Sequence, residues 1–352
     1  MPASSVGLAA DLRAAVAGEV RFSDADRALY AADASIYRQL PIGIVLPRDD
    51  EDVLATLDVC RRRGAAVLPR GAGTSEAGQT CNQAVVLDFS RHMNRILALD
   101  PEGRQARVQP GVVLDRLRSE AERHHLTFGP DPSTHAVCTL GGMIGNNSCG
   151  VHSVMAGTTV RNVHELEVVT YRGARLRLGP MPTPVPMGGA GAAADTAAAI
   201  STQLALLAER TAPLVRARFP SIPRRISGYN LDELLPERGP NLARALVGTE
   251  GTCAVLLAAT VRLVESPPER VLVVLGFADV AEAADAVPAV LAHRPIAVEG
   301  LDDRLVAAVR HHGISLEALG AMPPGRGWLL VEFGAGGANE AADAARRCGT
   351  AL

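Results

Sequence analysis

The stretch that decides the fold is residues 130–160, which read PDPSTHAVCTLGGMIGNNSCGVHSVMAGTTV. Five glycines and a series of hydroxyl and amide side chains lie here, and no long charged side chain follows until Arg161. Glycine lets a ligand approach the backbone N–H groups closely, because no Cβ is in the way. The stretch therefore predicts a binding site for a large polar ligand, with a flexible surface loop as the alternative when it is considered alone.

The chain of 352 residues is long enough for two domains and a large core. Hydrophobic residues make up 47% of it, and no apolar run is long enough to cross a membrane. Asp11 and Arg13 interrupt the region where a signal peptide would be apolar, so export is not expected. The six cysteines contain no C-x-x-C pair, which predicts neither a zinc site nor an iron–sulfur cluster. Isolated thiols fit a reducing cytoplasm, including the inner face of its membrane.

All 35 basic residues are arginine. The absence of lysine excludes a P-loop lysine, a Schiff-base lysine and the lysine of protein kinases. The formal net charge is −3 and the arginines do not cluster, so a nucleic-acid partner is not expected. No grouping of side chains predicts a bound metal ion.

Three segments are expected along the chain. Residues 1–36 read as a helical segment, because apolar residues recur there at near-helical spacing. Strands and helices alternate over residues 37–266. Pro267 and Pro268 form the clearest boundary, and a further alternation of strands and helices occupies residues 267–352.

Periodicity and breaker residues predict the individual elements. A helix begins at Asp49, whose acidic neighbours favour a helix N-terminus, and ends at Gly64. Residues 180–195 are expected to form a mobile surface loop before an alanine-rich helix over 196–218. The other predicted elements are strands at 42–46, 65–68, 84–88, 95–99, 106–109, 165–170, 174–178, 254–263, 271–277, 296–299 and 328–333, and helices at 113–123, 280–291, from 301 and from 338.

The segment Pro69-Arg70-Gly71-Ala72-Gly73-Thr74-Ser75 directly follows the predicted strand 65–68. It resembles half of a dinucleotide fingerprint, but Glu76 replaces the third glycine and no helical pattern begins here, which disfavours a nicotinamide Rossmann site. Glycine turns expose N–H groups, and Thr74 and Ser75 add hydroxyl donors, so the segment suits a pyrophosphate. A plain strand-to-strand turn is the alternative.

Two further polar segments follow, Ser227-Gly228-Tyr229-Asn230-Leu231 and Gly248-Thr249-Glu250-Gly251-Thr252. Together with residues 69–75 and 129–147, and in this order, they resemble the FAD-binding domain of the vanillyl-alcohol oxidase (PCMH-type) flavoproteins. Within that family the chain is most similar to FAD-linked oxidases of the glycolate oxidase and D-lactate dehydrogenase branch, including members fused to an iron–sulfur domain. The resemblance covers about residues 35–335.

The resemblance implies an α+β fold in which two subdomains hold FAD and a cap domain, incomplete here, follows them. Residues 297–302 resemble the opening strand-to-helix step of that cap. Non-covalent FAD is expected, with a covalent bond to Cys149 as the alternative. The residues that the resemblance assigns to FAD are Arg70, Gly71, Ala72, Gly73, Thr74 and Ser75 at the pyrophosphate, Pro130, Ser133, Thr139, Gly141, Gly142, Gly145, Asn146 and Gly150 at the isoalloxazine and ribityl chain, Gly157 and Val160 near the adenine or ribityl side, and Glu250 and Gly251 at the closing edge.

The implied reaction is hydride transfer from the Cα–H of a 2-hydroxy acid, such as D-lactate, glycolate or D-2-hydroxyglutarate, to flavin N5. Arg225 is a candidate for holding the substrate carboxylate, and Tyr229 and Asn230 are candidates for binding its hydroxyl group. Fixing a subdomain junction is the alternative role for Arg225 and Tyr229. His152 is a candidate base, with a hydrogen bond to a backbone or flavin oxygen as the alternative. The catalytic base therefore stays open.

Three features depart from the family's pattern. Glu76 would repel a pyrophosphate unless its side chain turns outward. Neither the metal- and substrate-binding motif His-x-Gly-Asp-Gly-Asn nor the iron–sulfur motifs occur in the sequence. The chain is therefore expected to be the amino-terminal part of a longer protein, or a gene product cut short. An electron-acceptor or iron–sulfur chain is the expected macromolecular partner. The alternative function is an FAD-binding module, truncated or dependent on a partner, without turnover of its own.

Overall fold

The computed structural model describes residues 5–181, 184–187, 192–313 and 316–351. Strands β1 to β15 are, in chain order, Glu19–Arg21, Gly43–Leu46, Val67–Arg70, Val85–Asp88, Ile96–Asp100, Gln105–Val108, Leu126–Thr127, Val163–Val169, Arg175–Leu178, Val185–Pro186, Val255–Arg262, Val264–Glu265, Glu269–Phe277, Ala297–Asp302 and Gly327–Ala335. Helices α1 to α12 are Ser5–Ala15, Asp24–Leu29, Asp50–Arg63, Leu114–Glu122, Leu140–Asn146, Ser153–Ala156, Ala192–Arg218, Leu242–Leu246, Val280–Ala292, Asp303–His311, Leu316–Gly320 and Ala338–Ala351. Short 3-10 turns are Thr159–Asn162, Leu231–Leu234 and Pro236–Arg238.

The chain forms two compact units. The first contains the residues up to Phe128 together with Pro132–Ser148 and Thr158–Val264. The second contains Gly129–Asp131, Cys149–Gly157 and the residues from Glu265 onward. The second unit thus takes two short segments from the glycine-rich stretch, which the sequence gives no reason to separate from their neighbours.

Two sheets build the first unit. One has the order β1-β2-β4-β3, in which β4 runs parallel to both β2 and β3 and β1 is antiparallel to β2. The other is antiparallel throughout and has the order β10-β9-β8-β11-β6-β5. Parallel strands need a crossover connection, and α3 supplies it between β2 and β3. Mixed sheets with helices confirm the expected α+β class.

Helix α3 shows how the sequence sets local structure. The Asp49 carboxylate accepts a hydrogen bond from the N–H of Asp52, and Gly64 ends the helix in the left-handed region at φ 66°. Both ends confirm the prediction. Leu57 of this helix is fully buried in the same core as Leu8 of α1, so the amino-terminal helix packs into the first unit.

Helix α5 was not predicted from the sequence. Three of its seven residues are glycine, which costs about 1 kcal/mol each in a helix relative to alanine. The Thr139 hydroxyl caps its first turn, and Leu140, Met143 and Ile144 are buried in the main core of the first unit. Tertiary packing therefore overrides the low helix propensity of the segment.

The predicted loop over 180–195 is only partly described. Residues 182–183 and 188–191 lie outside the described residues. Within the rest, β10 pairs with β9, and α7 begins at Ala192 rather than at Thr196. None of the helices in the described ranges is both long enough and apolar enough to cross a membrane.

The second unit contains a three-stranded antiparallel sheet in the order β13-β15-β14. Helices α9 and α12 cover it, and Val290, Val331 and Cys348 are among the buried residues of their common core. Helix α10 begins at Asp303 rather than at the predicted Leu301, because Asp302 serves as its N-cap and accepts a 2.7 Å hydrogen bond from the N–H of Leu305.

Candidate functional site

The loop over residues 71–76 begins where β3 ends. Within the described part of the chain, the backbone N–H groups of these residues donate no hydrogen bond to another protein group. Gly73 has φ 72°, and a Cβ on Gly71 would lie 2.1 Å from Thr139 Oγ1. The loop therefore needs glycine at both positions, and it presents a row of unpaired donors. No helix follows the loop before β4, as the sequence predicts.

A cleft in the first unit contains this loop. It consists of a smaller and a larger cavity, which share Gly71, Ser75, Thr80, Thr139, Gly142 and Asn146 in their walls. The larger cavity is polar, and it is lined by the whole loop and by residues 132–134. The smaller cavity has an apolar wall formed by Phe89, Pro110, Ile144, Leu166, Leu246, Ala254 and Leu256. The cleft therefore offers a polar half and an apolar half to one extended ligand.

Helix α5 lines both halves, and its glycines allow close packing. The N–H of Gly141 donates to Pro110 O at 2.8 Å, and a Cβ on Gly141 would lie 2.9 Å from that oxygen. Asn146 lines both cavities, and its side-chain amide has no hydrogen-bond partner among the described residues. The helix thus presents a free amide to the ligand space.

The segment that contains Glu250 and Gly251 reaches the cleft through the carboxyl end of α5. The carbonyls of Ile144 and Gly145 accept hydrogen bonds of 2.9 and 3.0 Å from the N–H groups of Gly248 and Glu250. Among the described residues, the Gly145 carbonyl has no other donor, whereas the Ile144 carbonyl also accepts from the N–H of Asn147 at 3.4 Å. Glu250 and Gly251 consequently line the apolar cavity.

Arg70, the residue just before the loop, has a side chain that is already hydrogen-bonded within the protein. Its guanidinium donates to the carbonyl oxygens of Tyr30, Ala32 and Thr80 at 3.3, 2.9 and 3.1 Å. The same group lies 5.3 Å from the centre of the Tyr30 ring. Ala72, Thr74 and Ser75 line the polar cavity beyond it, and Glu76 is exposed at its edge.

Val160 belongs to the core rather than to the cleft wall. Its side chain is buried in the main core of the first unit. Its N–H donates at 2.9 Å to Asn147 Oδ1. A contact of Val160 with the adenine or ribityl side of the ligand stays a prediction.

None of the three candidate substrate ligands lines the two cavities of the cleft, and Arg225 and Tyr229 line a separate surface groove. Arg225 contacts the Asp232 carboxylate at 2.5 Å, and Asn230, which is 1% exposed, donates to Val247 O at 2.7 Å. The Tyr229 ring is 46% exposed, and its hydroxyl lies 2.7 Å from Thr252 Oγ1. This placement favours a structural role for Arg225 and Asn230 and leaves Tyr229 accessible.

The remaining sequence-assigned residues, Pro130, Gly150, His152 and Gly157, lie in the second unit. A Cβ on Gly150 would lie 2.1 Å from the carbonyl oxygen of Asp131, so only glycine fits there. Gly157 ends α6 at φ 75°, a conformation that side chains disfavour. Pro130 is buried.

His152 bridges two carboxylates within the second unit. Its Nδ1 lies 2.5 Å from Asp131 Oδ2, and its Nε2 lies 2.9 Å from Glu332 Oε2. These hydrogen bonds raise the pKa of His152 to about 9, against the opposing effect of burial. His152 in turn lowers the pKa of Glu332. Both ring nitrogens face acceptors, so this placement favours a charged bridging role over that of a base.

Sequence reasoning missed several residues of these arrangements. Tyr30 and Thr80 contact the Arg70 guanidinium, and Glu332 completes the contacts of His152. None of them carries a local motif. Asp131 lies inside the stretch 130–160. Its position between two prolines was the one feature of the sequence that could have marked it as a site residue.

Comparisons with known proteins agree with this geometry. The family model of the FAD binding domain matches residues 41–179, and that of the C-terminal domain of FAD linked oxidases matches residues 266–351. The chain therefore contains two segments that are similar to two domains of FAD-linked oxidases. The resemblance derived from the ordered motifs is thereby confirmed.

Two curated relatives illustrate the FAD-linked oxidases that this chain resembles. D-2-hydroxyglutarate dehydrogenase of Pseudomonas putida is 34% identical over 326 residues, which cover 90% of this chain and 32% of the relative. Glycolate oxidase subunit GlcD of Bacillus subtilis is 28% identical over 90% of this chain and 57% of the relative. The chain thus spans about a third of the length of the first of these relatives.

Solved structures support the fold. An alkyldihydroxyacetonephosphate synthase superposes on 99% of this chain and 59% of its own, with a TM-score of 0.68 and 16% sequence identity. At this identity the likeness concerns the fold alone, and it confirms the α+β architecture of the PCMH type.

The residues of the cleft fit the cofactor of this family. The unpaired N–H groups of residues 71–76 suit an anionic pyrophosphate, and the apolar half suits an aromatic ring system. Gly71 and Gly141 leave room that a Cβ would fill. The donors and the shape of the cleft therefore suit FAD.

Proposed function

We propose that this chain binds FAD non-covalently in the first-unit cleft and takes part in the oxidation of a 2-hydroxy acid such as D-2-hydroxyglutarate, glycolate or D-lactate. The observation that carries the proposal is the row of unpaired backbone donors beside an apolar cavity, inside a matched FAD binding domain. The substrate class is taken from relatives whose names specify D-2-hydroxyglutarate and glycolate.

The loop residues Gly71 to Ser75 would hold the pyrophosphate through their N–H groups and the hydroxyls of Thr74 and Ser75. Ser133, Thr139 and the amide of Asn146 would add neutral hydrogen bonds along the polar half of the cleft. When bound, FAD supplies the redox chemistry, in which it accepts the hydride from the substrate Cα. The chain contributes binding, orientation and exclusion of water.

Two observations on cysteines support non-covalent binding: Cys149, the covalent alternative, lines neither cavity of the cleft, and the one thiol that does line it is buried. Cys138 lines the polar cavity and is 4% exposed. Burial raises the pKa of this thiol to about 11, so at neutral pH it is protonated and a poor nucleophile. This thiol is therefore unsuited to forming a bond with the flavin.

A second candidate function is an FAD-binding module that lacks turnover of its own. The observation that favours it is the length of the match, because this chain spans 32% of the D-2-hydroxyglutarate dehydrogenase relative. A partner chain would then supply the electron acceptor or an iron–sulfur cluster.

A visible absorption spectrum before and after acid precipitation tests both candidates. We expect a flavin spectrum whose colour moves to the supernatant, because the cofactor is not covalently bound. Anaerobic addition of D-2-hydroxyglutarate, glycolate and D-lactate then separates the two. Bleaching by one acid supports the oxidoreductase, whereas a stable yellow protein supports the module. A colourless protein that takes up no added FAD would contradict both.

A further inference from the structure

We infer that residues 30–34, which precede the matched FAD binding domain, act with Arg70 as a clamp that positions the pyrophosphate loop. We define the clamp as Tyr30, Asp33, Ala34 and Arg70. The inference rests on the proposed function, since it assigns these residues to the FAD site. It also reinterprets Arg70, which would bind the loop's surroundings rather than the phosphates.

The first contact set joins Arg70 to both neighbouring segments. Three of its five N–H donors are taken by carbonyl oxygens, those of Tyr30 and Ala32 on one side and that of Thr80 on the other. A Cβ on Gly73 would lie 2.4 Å from Arg70 Nη2, so the guanidinium packs directly against the loop. The Arg70 guanidinium therefore holds the backbone segments on both sides of the loop.

The second contact set runs from the amino-terminal segment to the loop and the residues after it. Asp33 Oδ2 accepts hydrogen bonds from the N–H and hydroxyl of Thr80 at 3.3 and 3.0 Å. The N–H of Ala34 donates to Gly73 O at 3.1 Å. Asp33 and Arg70 thus bind the same residue, Thr80: Asp33 accepts from its N–H and hydroxyl, and Arg70 donates to its carbonyl oxygen.

The contact of Ala34 with Gly73 sets the direction of the loop donors. In a planar trans peptide the carbonyl of one residue and the N–H of the next point in opposite directions. Because Gly73 O points at Ala34, the N–H of Thr74 points away from the amino-terminal segment. Fixing this peptide therefore keeps a donor free for a ligand, which agrees with the absence of any acceptor for it among the described residues.

The clamp is anchored at the ends of the parallel strands β3 and β4. Arg70 is the last residue of β3, and Asp88 is the last residue of β4. The Tyr30 hydroxyl donates to Asp88 Oδ2 at 2.6 Å, while its ring lies under the Arg70 guanidinium. Burial, followed by the contact with Asp88, raises the pKa of Tyr30, so the hydroxyl stays a donor throughout the physiological range.

A double-mutant cycle on flavin affinity tests the clamp. The variants are Arg70→Lys, Asp33→Asn and their combination, and the ligands are FAD and riboflavin, which lacks the phosphates. We expect each single variant to weaken FAD binding about tenfold, the loss that one charge-assisted hydrogen bond represents. The affinity for riboflavin should change less than about twofold. The double variant should bind FAD at most about threefold more weakly than the weaker single variant, because both residues hold one loop.

The matched control is the pair Arg63 and Asp11, a guanidinium and a carboxylate that join α3 to α1 away from the loop. Arg63→Lys and Asp11→Asn should leave both affinities unchanged. Equal weakening of FAD and riboflavin, or an effect of Arg70→Lys without one of Asp33→Asn, would overturn the clamp. Wild-type protein that binds neither flavin would instead refute the proposed function on which the clamp depends.

Discussion

The shape of the cleft depends on the absence of a Cβ atom at Gly71. The space beside its Cα is limited by Thr139, whose Oγ1 would lie 2.1 Å from a Cβ on residue 71. The next atom, Thr139 Cβ, would lie 3.3 Å away, which is tolerable after a small adjustment. The hydroxyl oxygen, and not the Thr139 backbone, is thus the atom that demands glycine.

We expect Gly71→Ala to raise the dissociation constant of FAD at least about tenfold, because the loop must move to relieve a contact that real Cβ atoms do not make. Flavin fluorescence quenching measures the change. The double variant Gly71→Ala with Thr139→Ala should recover part of the affinity, since it removes the clashing oxygen. Gly336→Ala is the control, because a Cβ there meets nothing within 4 Å. Unchanged FAD affinity in Gly71→Ala would contradict this account of the cleft.

At the scale of elements, the bridge of His152 ties together three parts of the second unit. Asp131 and His152 come from the two segments inserted in the first unit's sequence, and Glu332 comes from β15. The side chains of His152 and Asp131 are 12% and 8% exposed, so solvent screens their interaction only weakly. The charged form of His152 therefore contributes to the stability of this unit.

The sign of the pH dependence follows from the raised pKa of His152, about 9 against 6.5 for the free side chain. The stabilisation is complete below about pH 6.5 and is lost as the pH rises through about 9. Its size at pH 7 is on the order of 2 kcal/mol. We therefore expect His152→Gln to lower the urea midpoint at pH 7 and to differ little from wild type at pH 10.

Fluorescence of Trp328 is a direct measurement for this prediction. Trp328 is the one tryptophan in the sequence, it lies in β15, the strand that also carries Glu332 of the bridge, and it is 6% exposed. Other groups that titrate near pH 10 are the same in both proteins, so the difference between them isolates His152. A gap between wild type and variant that is equally large at pH 7 and pH 10 would refute the assignment.

For the whole molecule, cofactor binding and folding are linked. A ligand that binds only the folded state stabilises it by about 2.7 kcal/mol at a hundredfold excess over its dissociation constant. We expect FAD at that excess to raise the thermal midpoint of the protein, measured by far-ultraviolet circular dichroism, and removal of FAD to reverse the shift. Adenosine at the same concentration serves as the control, because it lacks the pyrophosphate. No shift with saturating FAD would contradict binding to the native cleft.

The sequence was sufficient wherever a few neighbouring residues decide the outcome. Asp49 and Gly64 bound α3, and Gly71 to Ser75 form a loop with exposed donors. The order of the motifs indicated the FAD binding domain that the family model matches. In each case the cause is local: a cap, a left-handed glycine or a peptide group without a partner. The boundaries of most strands were accordingly predicted to within a few residues.

Tertiary structure alone decided which distant residues meet. Arg70 lies 40 residues from Tyr30, and His152 lies 180 residues from Glu332, yet each pair forms a hydrogen bond. Such pairs arise from strand order and core packing, which no local pattern records. For the same reason only the structure shows that the Arg70 side chain binds three carbonyls, and the contact of Arg70 with the pyrophosphate, implied by the family resemblance, stays a prediction. The residue types determined what the cleft is able to bind, and the packing of strands and helices decided which of them face it.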